Sequence, residues 1–452
     1  MPGTPPVGRP WIARTIADAR AVIAATTPSR AMMLAGWLGL PAVALVLRLA
    51  YVATLPPAIV ITFEADPMTY DQIARNILVG RGFAGASFYF PPGTEVPTSF
   101  WDPLYPYFLA AVYATVGHSI PAVRVVQAVV GATSVALLWH LGRRLATPAA
   151  GLVAASILAC YPFLLYYTGQ LLTETLFIGL ILATVAAGIE AMRGGRLAWF
   201  AALGVVGGLA AMGRAEAFAF TLAYVPWCAF RAPRVGRRQF VVGLAAGWLA
   251  LAATMAPWTI RNAIEFGRPI VTTTKLGYNL YKYYHPEMTP DQTTRVVPFP
   301  DLTGLDEPAR ADLMQSLGVR FMLENPARTA WYMAAKFLLL FKLTPSNDAT
   351  RGYALVSLLS FGTLLPFMAA GLVFAIREGR AWWPVVGYVA FSVASKTAVF
   401  AGIRLRMQIE PFLVLFAAVA IVALARAAVS RLPVPRGARG GSFPLPPQRG
   451  RD

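Results

Sequence analysis

The stretch Glu64-Ala-Asp-Pro-Met-Thr-Tyr-Asp-Gln-Ile-Ala-Arg-Asn-Ile-Leu-Val-Gly-Arg-Gly-Phe83 puts three carboxylates just beyond the first long apolar run of a chain that is otherwise poor in charge. Of 452 residues, 57% are hydrophobic and 13% charged, with a mean hydropathy of +0.57. Such a composition does not clothe a water-facing surface. Apolar runs long enough to cross a hydrocarbon core of roughly 30 Å recur along the chain. About ten are legible: 32–54, 122–142, 147–167, 173–192, 197–213, 216–230, 240–258, 354–376, 381–400 and 408–427. The chain reads as an all-α polytopic membrane protein. Its first run follows a polar tail without a small-residue cleavage site and is expected to stay as a signal anchor.

A net charge of +18 would suit nucleic acid if it formed one basic face, so its distribution decides. The N-terminal tail, the loops at Arg143-Arg144, Arg193 to Arg196, Arg231 to Arg238 and Arg377 to Arg380, and the C-terminal tail together with Arg426 at the end of the last run hold 20 of the 39 basic residues, with only Asp18, Glu190, Glu378 and Asp452 beside them. In a ten-helix count all these segments fall on one side, which the positive-inside rule makes cytoplasmic. The basic excess is topology, and no nucleic-acid partner is expected. Both termini are expected in the cytoplasm. Cys160 and Cys228 fall in apolar helices and support neither a disulfide framework nor a thiolate metal site.

Three parts follow: a basic cytoplasmic tail (1–31), a membrane domain (32–430) and a disordered Pro/Gly/Arg-rich tail (431–452). Within the membrane domain, residues 55–121 and 259–353 break the apolar pattern on the outer face. The first has a helical stretch from about Met68 to Val79, a Gly/Pro-rich loop from Gly80 to Pro97, and an apolar piece from Pro103 to Gly117. If that piece crossed the membrane, Arg143-Arg144 would move outside and every later loop would invert; it reads as an interfacial or re-entrant helix. Residues 326–343, interrupted by Lys336 and Lys342, read as a helix on the outer surface.

Seven phrases in order then carry a resemblance. They are Asp66-Pro-Met-Thr-Tyr70 with Gly80-Arg-Gly-Phe83, Pro103-Leu-Tyr-Pro106, Gly142-Arg-Arg-Leu145, Leu172-Thr-Glu174, Pro257-Trp-Thr-Ile-Arg-Asn262, Thr272-Thr-Thr-Lys-Leu-Gly-Tyr-Asn-Leu280 and Arg404-Leu-Arg-Met-Gln-Ile-Glu-Pro411. Together they resemble the integral-membrane glycosyltransferases of the GT-C superfold, in the polyprenyl-phosphate-sugar-dependent group that includes protein O-mannosyltransferases and lipid A aminoarabinose transferases. Trp101-Asp102 departs from the family, which often has a basic residue or proline before Pro-Leu-Tyr-Pro.

The resemblance implies an inverting transfer of a sugar from a polyprenyl-phosphate donor to a lipid, glycan or protein acceptor; charge parity puts the site on the outer face, and the short loops and Ala/Arg-rich composition point to a bacterial inner membrane. A sugar on a phosphate has an activated anomeric carbon, so the incoming group needs chiefly a base and a positioned electrophile. The resemblance gives the base to Asp66; read from residues alone, an Asp before Pro67 also suits a helix N-cap. Glu174, opening an apolar helix, suits the helix dipole, and by resemblance is a second active-site acid that binds acceptor or a cation. Arg404 and Arg406 suit a departing phosphate at the membrane boundary, with snorkelling anchors as the alternative. Arg261 and Lys275 are supporting phosphate candidates, and Tyr70 belongs to the first-loop phrase. Glu64 and Asp71 read as solvated acids flanking a surface helix. His285 reads as a loop residue rather than a metal ligand. No cofactor is required beyond the donor, with a divalent cation left open. The alternative from another class is a transporter or flippase of lipid-linked sugars; it would place polar groups near the bilayer midplane, often in repeated halves.

Overall fold

In the computed structural model the helices stop where the charges cluster. Residues 27–60, 66–232, 236–290, 292, 297–343, 351–379 and 381–431 are described. Glu64, most of the expected N-terminal tail and nearly all of the expected C-terminal tail lie outside them. The helices are α1 (Arg30–Ala53, with a π-turn at Ala35–Gly39), α2 (Asp66–Leu78), α3 (Leu104–Val116), α4 (Ile120–Leu145), α5 (Pro148–Ala159), α6 (Pro162–Thr168), α7 (Glu174–Gly194) and α8 (Leu197–Gly213). After them come α9 (Glu216–Arg231), α10 (Arg237–Phe266), α11 (Lys275–Tyr283), α12 (Glu307–Glu324), α13 (Pro326–Leu340), α14 (Ala354–Glu378), α15 (Trp383–Ala398), α16 (Ile403–Arg406) and α17 (Glu410–Arg431). The expected all-α description needs one correction: the Gly/Pro-rich loop folds into an antiparallel pair, β1 (Ala84–Ala86) with β2 (Glu95–Pro97), in the register Gly85 to Val96.

Among the described residues, six helices (α1, α4, α7, α10, α14 and α17) are long and apolar enough to cross a membrane. The pair α5 and α6, bent by 53°, makes a seventh if it is one span. This is a multi-pass membrane protein. α3 and α8 are shorter apolar helices, and α9 and α15 have 16 residues each.

Polar contacts show which helix ends meet. Arg124 near the start of α4 donates to Pro56 O and Ala58 O beyond α1 and to Gly169 O after α6. At the far ends of α4 and α7, His140 and Arg144 meet Glu190. The chain therefore leaves α1 and enters α4 at one end of the bundle, with α2, the hairpin and α3 lying over that end.

The bend between α5 and α6 explains a buried arginine in an apolar helix. Ala159 is the last residue of α5, and a carbonyl at a helix end is costly to leave bare where water is absent. Arg48, 1% exposed, donates to it at 3.2 Å and to Ala44 O at 3.1 Å. Gly131 of α4 leaves room for this guanidinium, since a Cβ there would lie 2.5 Å from Arg48 Nε.

Elsewhere helices touch backbone to backbone through glycine, as is common where lipid supplies no hydrophobic drive. A Cβ on Gly204 of α8 would strike Gly247 O of α10, and one on Gly371 of α14 would strike Phe416 O of α17. Gly204→Ala and Gly371→Ala are each expected to cost about 1–3 kcal/mol through forced helix separation. Gly387→Ala, whose Cβ meets nothing within 4 Å, should be nearly neutral. Melting of purified protein in detergent checks this; equal midpoints for all three would refute the packing account.

Candidate active site

Asp66 is the first residue of α2, and one turn on Tyr70 is buried between the rings of Trp101 (5.4 Å) and Tyr105 (5.2 Å). The aromatic packing fixes this turn of α2 and with it the carboxylate. Glu174 opens α7, fully buried. Arg404, in the four-residue α16, reaches both acids: Nη1 donates to Asp66 Oδ2 at 2.8 Å and Nε to Glu174 Oε1 at 2.6 Å. Arg214, capping the end of α8, donates to the same Glu174 oxygen at 2.7 Å. Glu174 Oε2 has no hydrogen-bond partner among the described residues.

A second pair adjoins this one. Asp102 Oδ1 accepts from Ala215 N at 3.2 Å, and its Oδ2 lies 3.8 Å from Lys275 Nζ. The ammonium sits over the faces of Trp101 (4.4 Å) and Phe100 (5.2 Å). Beyond Arg214, Glu216 at the start of α9 takes Lys396 of α15 at 2.7 Å. Four acids (Asp66, Asp102, Glu174, Glu216) thus face four bases (Arg214, Lys275, Lys396, Arg404). Each such group needs a partner because each is largely removed from water. Burial pushes the Asp66 carboxyl above its ordinary value, with Lys275 and Arg214 pulling the other way; the same balance acts on Asp102. Burial lowers Arg404 to about 10, which leaves it charged at neutral pH.

Asp66, Glu174, Arg404, Lys275 and Tyr70 are therefore brought together. Arg261 and Arg406 are not. Arg261 donates to Thr98 O and Phe83 O, both at 2.9 Å, and packs against Trp258, so it fastens the hairpin region to the end of α10. Arg406 is two residues past Arg404, about 200° around a helix. It faces the other way, fully buried on Glu410 at 2.6 Å and over the Phe361 ring at 3.6 Å. Asp71 corrects the expectation of a solvated acid: it is 4% exposed and accepts from Tyr113 Oη (2.8 Å) and Arg75 Nε (2.9 Å), with His118 Nε2 at 2.7 Å, pinning α2 to α3.

Asp102, Glu216 and Lys396 entered no sequence-level site. Their signals were present: Arg214-Ala-Glu216 is a charged turn between two apolar runs, Asp102 stands where the resemblance departs from its family, and Lys396 interrupts an apolar helix. The arrangement suits a divalent cation poorly. Among the described residues no group of three or more His, Cys, Asp or Glu is placed to hold one. Glu174 Oε1 and Asp66 Oδ2 already face guanidinium groups.

Helix ends from distant parts of the chain thus converge on one charged cluster at one end of a glycine-packed bundle, and solved structures share the fold. The archaeal oligosaccharyltransferase AglB from Archaeoglobus fulgidus, in complex with an inhibitory peptide and a dolichol-phosphate, superposes with a TM-score of 0.51 at 14% identity, over 89% of this chain and 52% of that one. The fold is GT-C. The apo form of the same oligosaccharyltransferase agrees, with a TM-score of 0.51 at 15% identity over 88% and 52% of the two chains. ArnT from Cupriavidus metallidurans bound to undecaprenyl phosphate gives 0.38 at 15% identity, over 86% and 79%. The chain spans about half the length of the oligosaccharyltransferase chains it matches. A family model described as dolichyl-phosphate-mannose-protein mannosyltransferase matches residues 96–258, a stretch that holds Asp102, Glu174, Arg214 and Glu216. No curated protein matches by sequence.

Removing Glu174 would leave two guanidinium groups facing each other in a buried site. Glu174→Ala is expected to destabilise the protein by about 3–5 kcal/mol, and Glu174→Gln, which keeps an oxygen acceptor, by less. Thermal melting in detergent decides; an unchanged midpoint for Glu174→Ala would show that the arginines do not depend on it.

Proposed function

We propose that this chain is an inverting glycosyltransferase that moves a sugar from a polyprenyl-phosphate donor to an acceptor hydroxyl or amine. The reaction runs at the outer face of a bacterial inner membrane, in a ten-pass protein with both termini in the cytoplasm. The observation that carries the reading is the guanidinium of Arg404 set between Asp66 and Glu174, with Arg214 on the same Glu174 oxygen. A base and anion-binding groups occupy one buried site, as phosphate departure requires. The fold it shares with a dolichol-phosphate-bound oligosaccharyltransferase and the family match over residues 96–258 favour the same donor class.

In this reading the donor phosphate takes Arg404, with Arg214 and Lys275 near, and so draws the guanidinium away from Asp66. Asp66 accepts the proton of the acceptor as its oxygen or nitrogen bonds to the anomeric carbon from the face opposite the phosphate. The bond from that carbon to the phosphate oxygen breaks, and the electron pair leaves with polyprenyl phosphate, whose growing charge the cations stabilise. Attack from the opposite face inverts the anomeric configuration. The charged cluster lies at helix ends rather than mid-span, which favours transfer over transport.

Asparagine caps a helix nearly as well as aspartate but takes no proton. Asp66→Asn is therefore expected to lose about two to four orders of magnitude in turnover while the protein stays folded. Because burial raises Asp66, wild-type activity should fall as pH drops through a value above the ordinary carboxylate range. The assay is transfer of labelled sugar from polyprenyl phosphate by protein in nanodiscs. The control is Asp312→Asn, an exposed surface pair with Arg268; Asp71 cannot serve, being an anchor of α2. Near wild-type transfer by Asp66→Asn would sink the mechanism.

A further inference from the structure

The peptide that delivers Arg404 to the carboxylates runs from the end of α15 through residues 399–402, and a distant segment grips it residue by residue. Ala398 O accepts from Tyr284 Oη at 2.7 Å, and Val399 O from Lys336 Nζ at 2.9 Å. The Phe400 ring stacks on Tyr283, with centroids 4.5 Å apart and planes 13° from parallel. Ala401 O accepts from Gln292 Nε2 at 2.7 Å. All four partners belong to residues 283–336, between α10 and α14. Past Arg404, Arg406 donates to Lys342 O at 2.9 Å, so the chain just after α13 meets α16 as well.

Two details set this contact apart from ordinary packing. Lys336 is 1% exposed, and its ammonium meets a carbonyl and the Tyr284 ring, 3.7 Å from its centroid, where a carboxylate would be the usual partner for a buried charge. Gln292 has φ of 58°, the single non-glycine residue with positive φ among those described; such backbone persists where its surroundings over-determine it. A plain cap would satisfy the terminal carbonyls of α15 and stop there. Here the grip continues through Phe400 and Ala401 to the threshold of α16.

We infer that Tyr283 and Tyr284 at the end of α11, with Lys336 of α13, are positioning residues for Arg404: they fix residues 398–400 and so hold the guanidinium between Asp66 and Glu174. Movement of these residues therefore reaches the donor side of the site. The inference rests on Arg404 being the donor-phosphate ligand.

Lys336→Met keeps side-chain length and removes the charge and the donors, while Tyr284→Phe removes one hydroxyl and keeps the ring. Both are studied as full-length protein in nanodiscs. Deuterium uptake measured by mass spectrometry is expected to rise across residues 399–406 in Lys336→Met and to stay unchanged in α4 and α7. Undecaprenyl phosphate should bind this variant roughly three- to thirty-fold more weakly than wild type. Because the effect runs through Arg404, Lys336→Met should cause no further loss in an Arg404→Ala background. A purely structural role would give additive losses instead. Additive losses, or unchanged uptake over 399–406, overturns the inference. Should Lys336→Met fail to fold, Tyr284→Phe carries the same two measurements. If Arg404→Ala binds undecaprenyl phosphate as wild type does, or wild type does not bind it, the donor reading fails instead, and the uptake result still decides whether Lys336 and Tyr284 hold residues 399–406.

Discussion

One guanidinium held between a buried carboxylate and a half-buried one organises this end of the molecule. Arg404 meets Asp66 at 2.8 Å and Glu174 at 2.6 Å, and neither acid tolerates burial without such a partner. The pairing fixes the start of α2 against the start of α7 and draws α16 over both. Further charges extend it, with Arg214 on Glu174 and Lys396 on Glu216. The acids and bases of the cluster balance in number, so each charge has an opposite charge beside it. In the proposed reaction an incoming phosphate competes for cations already in place, which is cheaper than gathering them from water.

The rest of the fold supports that cluster in layers. Below it, glycines bring α8 against α10 and α14 against α17, so the end of α8 that bears Arg214 is set by backbone contact. Arg48 heals the break between α5 and α6 inside the bundle. Around it, Glu307 is a buried knot: its carboxylate accepts from Thr98 Oγ1, Ser99 N and Thr274 Oγ1. That knot joins the approaches to Asp102 and Lys275, which come from opposite sides of the membrane-spanning middle of the chain.

Much of this was legible in the sequence because it follows from strong local signals. Apolar runs marked the helices, and the ordered phrases around Asp66, Glu174, Lys275 and Arg404 marked residues that meet in space. The Arg124 contacts tie the start of α4 to the chain just after α1. The misses share a cause. Arg404 and Arg406 look equivalent as an Arg-x-Arg pair, yet helical rotation sends one to the site and the other to Glu410. Asp71 looked like a solvated acid because sequence does not reveal that Tyr113 and His118 return to cover it. Asp102 and Lys396 were hidden because their partners lie 113 to 180 residues away, and spacing along the chain carries no trace of such pairs.

The central claim is that the cations of this cluster exist to receive a phosphate, with Glu174 and Asp66 engaging Arg404 until it arrives. The most direct measurement is an electron cryomicroscopy structure of the full chain in nanodiscs with undecaprenyl phosphate. The account predicts phosphate oxygens within hydrogen-bonding distance, about 3 Å, of the Arg404 guanidinium, with Asp66 released from it. A phosphate bound elsewhere, while Arg404 still bridges Asp66 and Glu174, would contradict it.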